Sequence, residues 1–175
     1  MKLDSPYERI MIFGRPGSGK STFALKLHNI TKIPLYHLDK YFFIANWEKR
    51  DNDEFMQMQH DIVNSNAWIV DGNCTKSLET RYSRADLCLY FNYSKIVCLW
   101  RICKRIFHNR DHFDDRAENC PELVRWQLIK YMWNFENRVQ PSIESFKSKY
   151  PQVRFVEITN DMQLLSIFNA LLNRH

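Results

Sequence analysis

The sequence predicts an α/β fold, with a parallel sheet covered by helices on both faces, and three observations predict it. Five short apolar runs recur along 175 residues, at 9–13, 34–38, 68–70, 87–91 and 153–158. Stretches of helical periodicity lie between most of them, the alternation that builds parallel sheets. The first run ends in a glycine-rich loop, Gly14-Arg15-Pro16-Gly17-Ser18-Gly19-Lys20-Ser21, which leads straight into a helical stretch.

Taken in order, Arg9-Ile10-Met11-Ile12-Phe13 is apolar up to a glycine, as a buried strand is. Beyond the loop, Phe23, Ala24, Leu27 and Ile30 fall at helical spacing. Pro34 to Leu38 reads as a second strand closing on Asp39. Residues 53–66 place Phe55, Met58 and Ile62 on one side of a helix, and Trp68-Ile69-Val70 is a third strand stopped by Asp71-Gly72. Leu87 to Phe91 is a fourth strand. The helix after it, from about Ser94 to His108, has an apolar stripe (Leu99, Ile102, Cys103, Ile106, Phe107) and a basic one (Arg101, Lys104, Arg105, His108). Residues 109–121 are polar and aperiodic and read as a loop or lid. Residues 122–146 read as one long helix, and Val153 to Ile158 as a fifth strand before a last helix. No repeat, low-complexity tract or linker divides the chain, so 1–175 reads as a single domain.

Composition excludes several classes. With 45% hydrophobic and 26% charged residues the chain is globular rather than disordered. No apolar run reaches the roughly 18–20 residues that span a bilayer, and the first residues show no apolar signal region. Five cysteines, an odd number without CxxC spacing, argue against a disulfide framework and a zinc ribbon, so reduced thiols and a cytoplasmic location are expected. The net charge of +5 suits a polyphosphate ligand and also weak nucleic-acid contact. Lys and Arg form no consecutive block, so a mixed, solvated surface is the simpler reading.

The glycine loop is a complete Walker A motif, the signature of a P-loop nucleotide site. Its glycines let the backbone turn tightly and aim N–H groups at phosphate oxygens, and the helix that follows adds its positive dipole end. Lys20 reaches the β- and γ-phosphates as a point charge, and the Ser21 hydroxyl ligates Mg²⁺. Gly14, Gly17, Ser18, Gly19, Lys20, Ser21 and Thr22 therefore form the expected cradle for ATP or GTP. Asp71, ending the third apolar run, has the form of a Walker B acid that supports the metal beside Ser21. Asp39 also ends an apolar run; it takes a proton from an acceptor hydroxyl or helps place the metal, or else it caps a helix.

A GTPase would carry Asn-Lys-x-Asp and Asp-x-x-Gly, and neither is present at the required places. What remains is a small phosphotransferase using ATP, in which Arg101 and Arg105, one turn apart, and Arg110 and Arg116 beyond them neutralise the transferring phosphate. Tyr41, Phe42, Phe43 and Trp47 after Asp39 are candidates for an acceptor-site wall or a packed loop. Trp126, Ile129, Met132 and Trp133 share a helix face expected to pack rather than to stack bases. His108, His112 and Cys120 lack the paired spacing of a zinc site.

The combination of motifs is more specific than the Walker loop. It comprises Gly14 to Ser21, His37-Leu38-Asp39 with Trp47, Trp68 to Asn73 with Arg81, Ala85 and Asp86, Leu99-Trp100-Arg101 with Arg105, and Glu118-Asn119-Cys120-Pro121-Glu122 with Trp133-Asn134-Phe135. Over most of residues 9–137 the chain resembles the DNA topology modulation (FlaR-like) proteins of the adenylate-kinase-like group. That resemblance implies a nucleoside-monophosphate-kinase-like core with strand order 2-3-1-4-5 and a short lid. It departs at Phe113-Asp114-Asp115 and Leu123, where the family pattern has Arg-Pro-Asp and a further Arg, and Asp71-Gly72-Asn73 lacks the Pro-Arg of adenylate kinases. The expected function is an ATP- and Mg²⁺-dependent small-molecule kinase acting on a nucleotide or other small hydroxyl compound. The alternative is an ATP-binding regulatory switch that contacts DNA.

Overall fold

The structure is a computed structural model that describes residues 7–42, 48, 50–107 and 126–172. Its frame is one parallel sheet of β1 (Arg9–Gly14), β2 (Leu35–His37), β3 (Trp68–Asp71), β4 (Leu87–Phe91) and β5 (Arg154–Ile158), in the order β2-β3-β1-β4-β5. The helices are α1 (Lys20–Thr31), α2 (Leu38–Phe42), α3 (Asn52–Val63), α4 (Leu78–Arg84), α5 (Lys95–Phe107), α6 (Trp126–Trp133), α7 (Phe135–Lys149) and α8 (Asp161–Leu172).

Side chains alternate across a strand, so the continuous apolar runs require cover on both faces. Ile10 and Ile12 point into a core completed by Phe23 and Leu27 of α1, Cys98 and Ile102 of α5, and Ile167 and Leu171 of α8. Met11 and Phe13 point the other way, against Phe55 and Val63 of α3, Leu78 and Tyr82 of α4, and Val139 and Ile143 of α7. The three layers follow from that alternation. Burial of each such side chain contributes about 1.5–3 kcal/mol.

Several local expectations are corrected. The second strand stops at His37, because Leu38 turns inward to start α2 beneath Gly72; Asp39 therefore lies in the first turn of a short helix rather than at a strand end. In α3 the buried positions are Phe55, Gln59 and Val63, with Ile62 partly buried against the same core and Met58 half-buried, and Asp51 caps the helix through the amides of Asp53 and Glu54. Gln59 is tolerated in the interior because the buried Ser77 hydroxyl donates to it. A helix not expected from the apolar pattern, α4, buries Leu78, Arg81 and Tyr82. The long helix expected over 122–146 is two helices separated at Asn134, and α7 runs on to Lys149. Of the stripe expected on it, Met132 is buried and Ile129 half-buried, whereas Trp133 is 48% exposed with Lys95 over its ring.

Cys74, Cys88, Cys98 and Cys103 are free thiols. Among the described residues no helix is long and apolar enough to cross a membrane. The lid expected at 109–121, with Arg110, Arg116, His112 and Cys120, and also His108, lies outside the described residues, as do Phe43 and Trp47.

Candidate functional site

Strand pairing brings Asp71 and the loop to one edge of the sheet. Gly14 is paired with Phe91, and Asp71 sits in register between Ile12 of β1 and His37 of β2. The C-terminal ends of the strands thus face a common crevice, where ligands of open α/β sheets bind.

The loop between β1 and α1 is held from several sides. Gly14 adopts φ 145°, and a Cβ there would collide with the Phe91 backbone. Asn73 clasps the same residue at two points, accepting from its amide at 3.0 Å and donating to its carbonyl at 2.8 Å. Arg81, fully buried, fixes the turn that carries Asn73 by donating to the carbonyls of Gly72 (3.0 Å) and Cys74 (2.6 Å). Burial pushes its pKa down to about 10, which leaves it charged at neutral pH. Gly19 opens α1 in the left-handed region, no side chain caps that helix, and its first turn holds no acid. The first turn of α1 is therefore open to an anion.

Lys20 and Ser21, both half-buried, converge on Asp71, while Thr22 is exposed on the first turn of α1. Lys20 Nζ lies 3.3 Å from the Arg15 carbonyl, to which it donates. Asp71 is 4% exposed; its Oδ2 accepts from His37 Nδ1 at 3.0 Å. Burial by itself would raise the carboxyl pKa, but the His37 hydrogen bond, the Lys20 charge and the Ser21 hydroxyl outweigh it and hold the group below its ordinary value. A lowered carboxylate contributes stability above its unfolded pKa that is lost as pH falls through the folded one, so the environment of Asp71 favours its anionic form. Its Oδ1, buried, has no hydrogen-bond partner among the described residues. A buried anionic oxygen of this kind, with a serine hydroxyl beside it, is a donor set that fits a hard divalent cation.

Arg101 lies against the outer side of the loop. One guanidinium nitrogen donates to the Ser18 carbonyl at 3.0 Å, the other forks onto both oxygens of Asp161 at 2.8 Å, and the plane lies 4.6 Å over the Tyr93 ring. Arg105 is exposed one turn further along α5. Asp39 is exposed on α2, and its charge adds to the effect of burial in raising the Tyr131 pKa, which places it on the side of the crevice lined by α6. Tyr41 packs toward Tyr36 and Phe42 onto Phe55, so these two aromatics belong to the base of that side. The crevice thus gathers Lys20, Ser21 and Asp71 at one point, with Arg101 at its flank and Asp39 across from α6.

Three site-shaping residues had no role assigned from the sequence. Asn73 and Arg81 occur in the motifs of the resemblance, but they fall in a turn and a helix with little apolar pattern to indicate what they hold. Arg15 occupies a variable position of the loop, yet its side chain is 2% exposed and fully engaged.

No protein-family model matches this sequence, and no curated protein matches it. Solved structures do. A shikimate kinase from Bacteroides thetaiotaomicron matches over 95% of this chain and 97% of its own, at 18% identity and a TM-score of 0.55. A shikimate kinase from Acinetobacter baumannii, in complex with shikimate, matches over 93% of each chain at 11% identity and a TM-score of 0.57. A gluconokinase from Sinorhizobium meliloti 1021 matches over 97% of this chain and 91% of its own, at 14% identity and a TM-score of 0.53. At such identities the likeness shows the fold: this chain has the P-loop kinase fold, with the sheet order expected from the sequence.

Proposed function

We propose that this chain is an ATP- and Mg²⁺-dependent phosphotransferase acting on a small hydroxyl compound. The observation that carries the reading is Asp71, a buried carboxylate with one oxygen left unpartnered beside Ser21 and Lys20 at the mouth of the phosphate loop. The fold shared with kinases of small molecules supports it. The resemblance to FlaR-like proteins rests on the sequence motifs. Free thiols and the nucleotide chemistry favour the cytoplasm.

In this reading Gly14 and Ser18, whose amides are held by Asn73 and the Arg15 carbonyl, shape the loop. The amides of Gly17, Gly19, Lys20, Ser21 and Thr22, with the Thr22 hydroxyl at the rim, cradle the ATP phosphates, and the Lys20 ammonium leaves the Arg15 carbonyl for the β- and γ-oxygens. Ser21 and Asp71 would hold Mg²⁺, which when bound neutralises charge on the β- and γ-phosphates. Arg101, pinned at its edges by Ser18 and Asp161 and backed by Tyr93, offers its free face to the nucleotide. The acceptor hydroxyl attacks the γ-phosphorus, the bond to the β,γ-bridging oxygen breaks, ADP leaves, and the hydroxyl proton passes to Asp39.

The test is a transfer screen of nucleosides, nucleotides, sugars and hydroxy acids with ATP and Mg²⁺; no transfer to any acceptor, with ATP bound tightly, would favour the regulatory switch. Asp71→Asn should weaken Mg²⁺-dependent ATP binding by on the order of 10- to 100-fold. Asp39→Asn should spare ATP affinity and lower turnover. Equal losses of ATP affinity in calorimetry would show that the two acids do not divide the work in this way. Arg105→Ala should lower turnover by on the order of 100- to 1000-fold, the effect of removing one charge-stabilising group. An unchanged rate in a variant of unchanged Tm would mark Arg105 as a solvated surface residue.

A further inference from the structure

Arg15 stands in the middle of the phosphate loop, yet its side chain runs away from the phosphate side. Nε donates to the Tyr93 carbonyl at 3.0 Å, Nη1 to the Met132 carbonyl at 3.0 Å, and Nη2 to Asn92 Oδ1 at 3.1 Å and Glu136 Oε2 at 2.9 Å. These acceptors belong to two places. Tyr93 and Asn92 follow β4, while Met132 and Glu136 flank Asn134, where one helix ends and the next begins. A guanidinium buried to this degree is stable only when nearly all its donors are matched in fixed geometry. The main chain of the same residue is engaged as well: its amide donates to the Phe91 carbonyl at 2.9 Å, and its carbonyl accepts from Ser18 N and from Lys20 Nζ.

We infer that Arg15 is a positioning residue that couples nucleotide occupancy of the Gly14–Ser21 loop to the junction between α6 and α7. The inference rests on the reading that the loop binds nucleotide phosphate. When Lys20 transfers from the Arg15 carbonyl to a phosphate, the backbone of Arg15 loses a charged donor. Any resulting shift is carried by the rigid guanidinium to Met132 and Glu136, which have no other tie to the loop among the described hydrogen bonds. Coupling of this kind is reciprocal, so an ordered junction must in turn favour ATP. The extended, planar fork of arginine can serve four acceptors at once; a lysine ammonium at the same position cannot span them.

The experiment uses the full chain with ATP and Mg²⁺, following amide hydrogen exchange at residues 132–139 together with ATP affinity by calorimetry. In the native protein, saturating ATP should slow exchange in that segment by about tenfold. Arg15→Lys should bind ATP about tenfold more weakly, within the usual range of coupling between sites. At saturating ATP it should show protection in α1 but no slowing at 132–139. ATP affinity within twofold of native, slowing that persists in the variant, or absence of slowing in the native protein would each overturn the inference. If Arg15→Lys does not fold, Glu136→Ala, altered at the half-buried partner, should reduce the ATP-dependent slowing at least threefold, and unchanged slowing there overturns it equally. Failure of the native chain to bind ATP at all would instead refute the nucleotide reading beneath it, and the two failures are distinguished in the same titration.

Discussion

Lys20→Ala is expected to weaken ATP binding by on the order of 100-fold while leaving the fold intact. The ammonium is half-buried at the first turn of α1 and within reach of both the Arg15 carbonyl and the Asp71 carboxylate. A charge-assisted hydrogen bond to phosphate is worth about 1.5–3 kcal/mol, and Lys20 supplies more than one to a triphosphate. Little of the fold depends on it, because the hydrogen bond to Arg15 is long and the apolar core of α1 comes from Phe23, Ala24 and Leu27. Calorimetry on a variant with unchanged circular dichroism checks the point, and native-like ATP affinity would remove Lys20 from the site. Asp71, left without the Lys20 charge, should then show a higher pKa.

The second large effect is structural. Gly14→Ala should destabilise the protein by at least about 3 kcal/mol, the range reached when a side chain is forced into backbone at a positive φ. The obstruction is the carbonyl, nitrogen and carbon of Phe91, in the strand that pairs with β1, and neither strand can yield without losing its register. Asn73 adds to the constraint by holding both polar groups of Gly14. Denaturant unfolding measures the loss; a variant as stable as the native chain would show that the two strands separate more easily than their pairing implies. Gly19→Ala makes the informative control, since the space there is open and only its positive φ is strained.

The central strands are legible in the sequence because they are buried on both faces, and an apolar run such as Leu87 to Phe91 has no simpler explanation. The edge strand β5 is legible from the alternation of Val156 and Ile158 with exposed Arg154 and Glu157. The edge strand β2 was harder, because Leu38 continues the apolar run while leaving the sheet to pack under Gly72. The α4 helix escaped notice for a related reason: its inward positions include Arg81 and Tyr82, which read as surface residues until their partners are known. Within the site, Lys20, Ser21 and Asp71 could be found because their chemistry fixes both residue type and spacing. Arg15 could not, since nothing in an eight-residue motif specifies that a variable position will reach a helix junction more than a hundred residues away. His37, met only as part of a motif, acquires its role through strand register, which sets it beside Asp71.

The sheet order also governs when the site comes into being. β1, which carries the loop, is the central strand, and its neighbours β3 and β4 lie far downstream, so Gly14 meets its partner only when Phe91 has been made. At a synthesis rate of about 5–20 residues per second, that interval of about 77 residues leaves the growing chain without a formed loop for roughly 4–15 s. Local contacts cannot substitute, because pairing across such separations must meet loop-closure entropy before it is rewarded. A nucleotide present during synthesis therefore cannot assist the early steps of folding. It stabilises the product only after β4 has closed onto β1, and its effect should appear as slower unfolding rather than as faster folding.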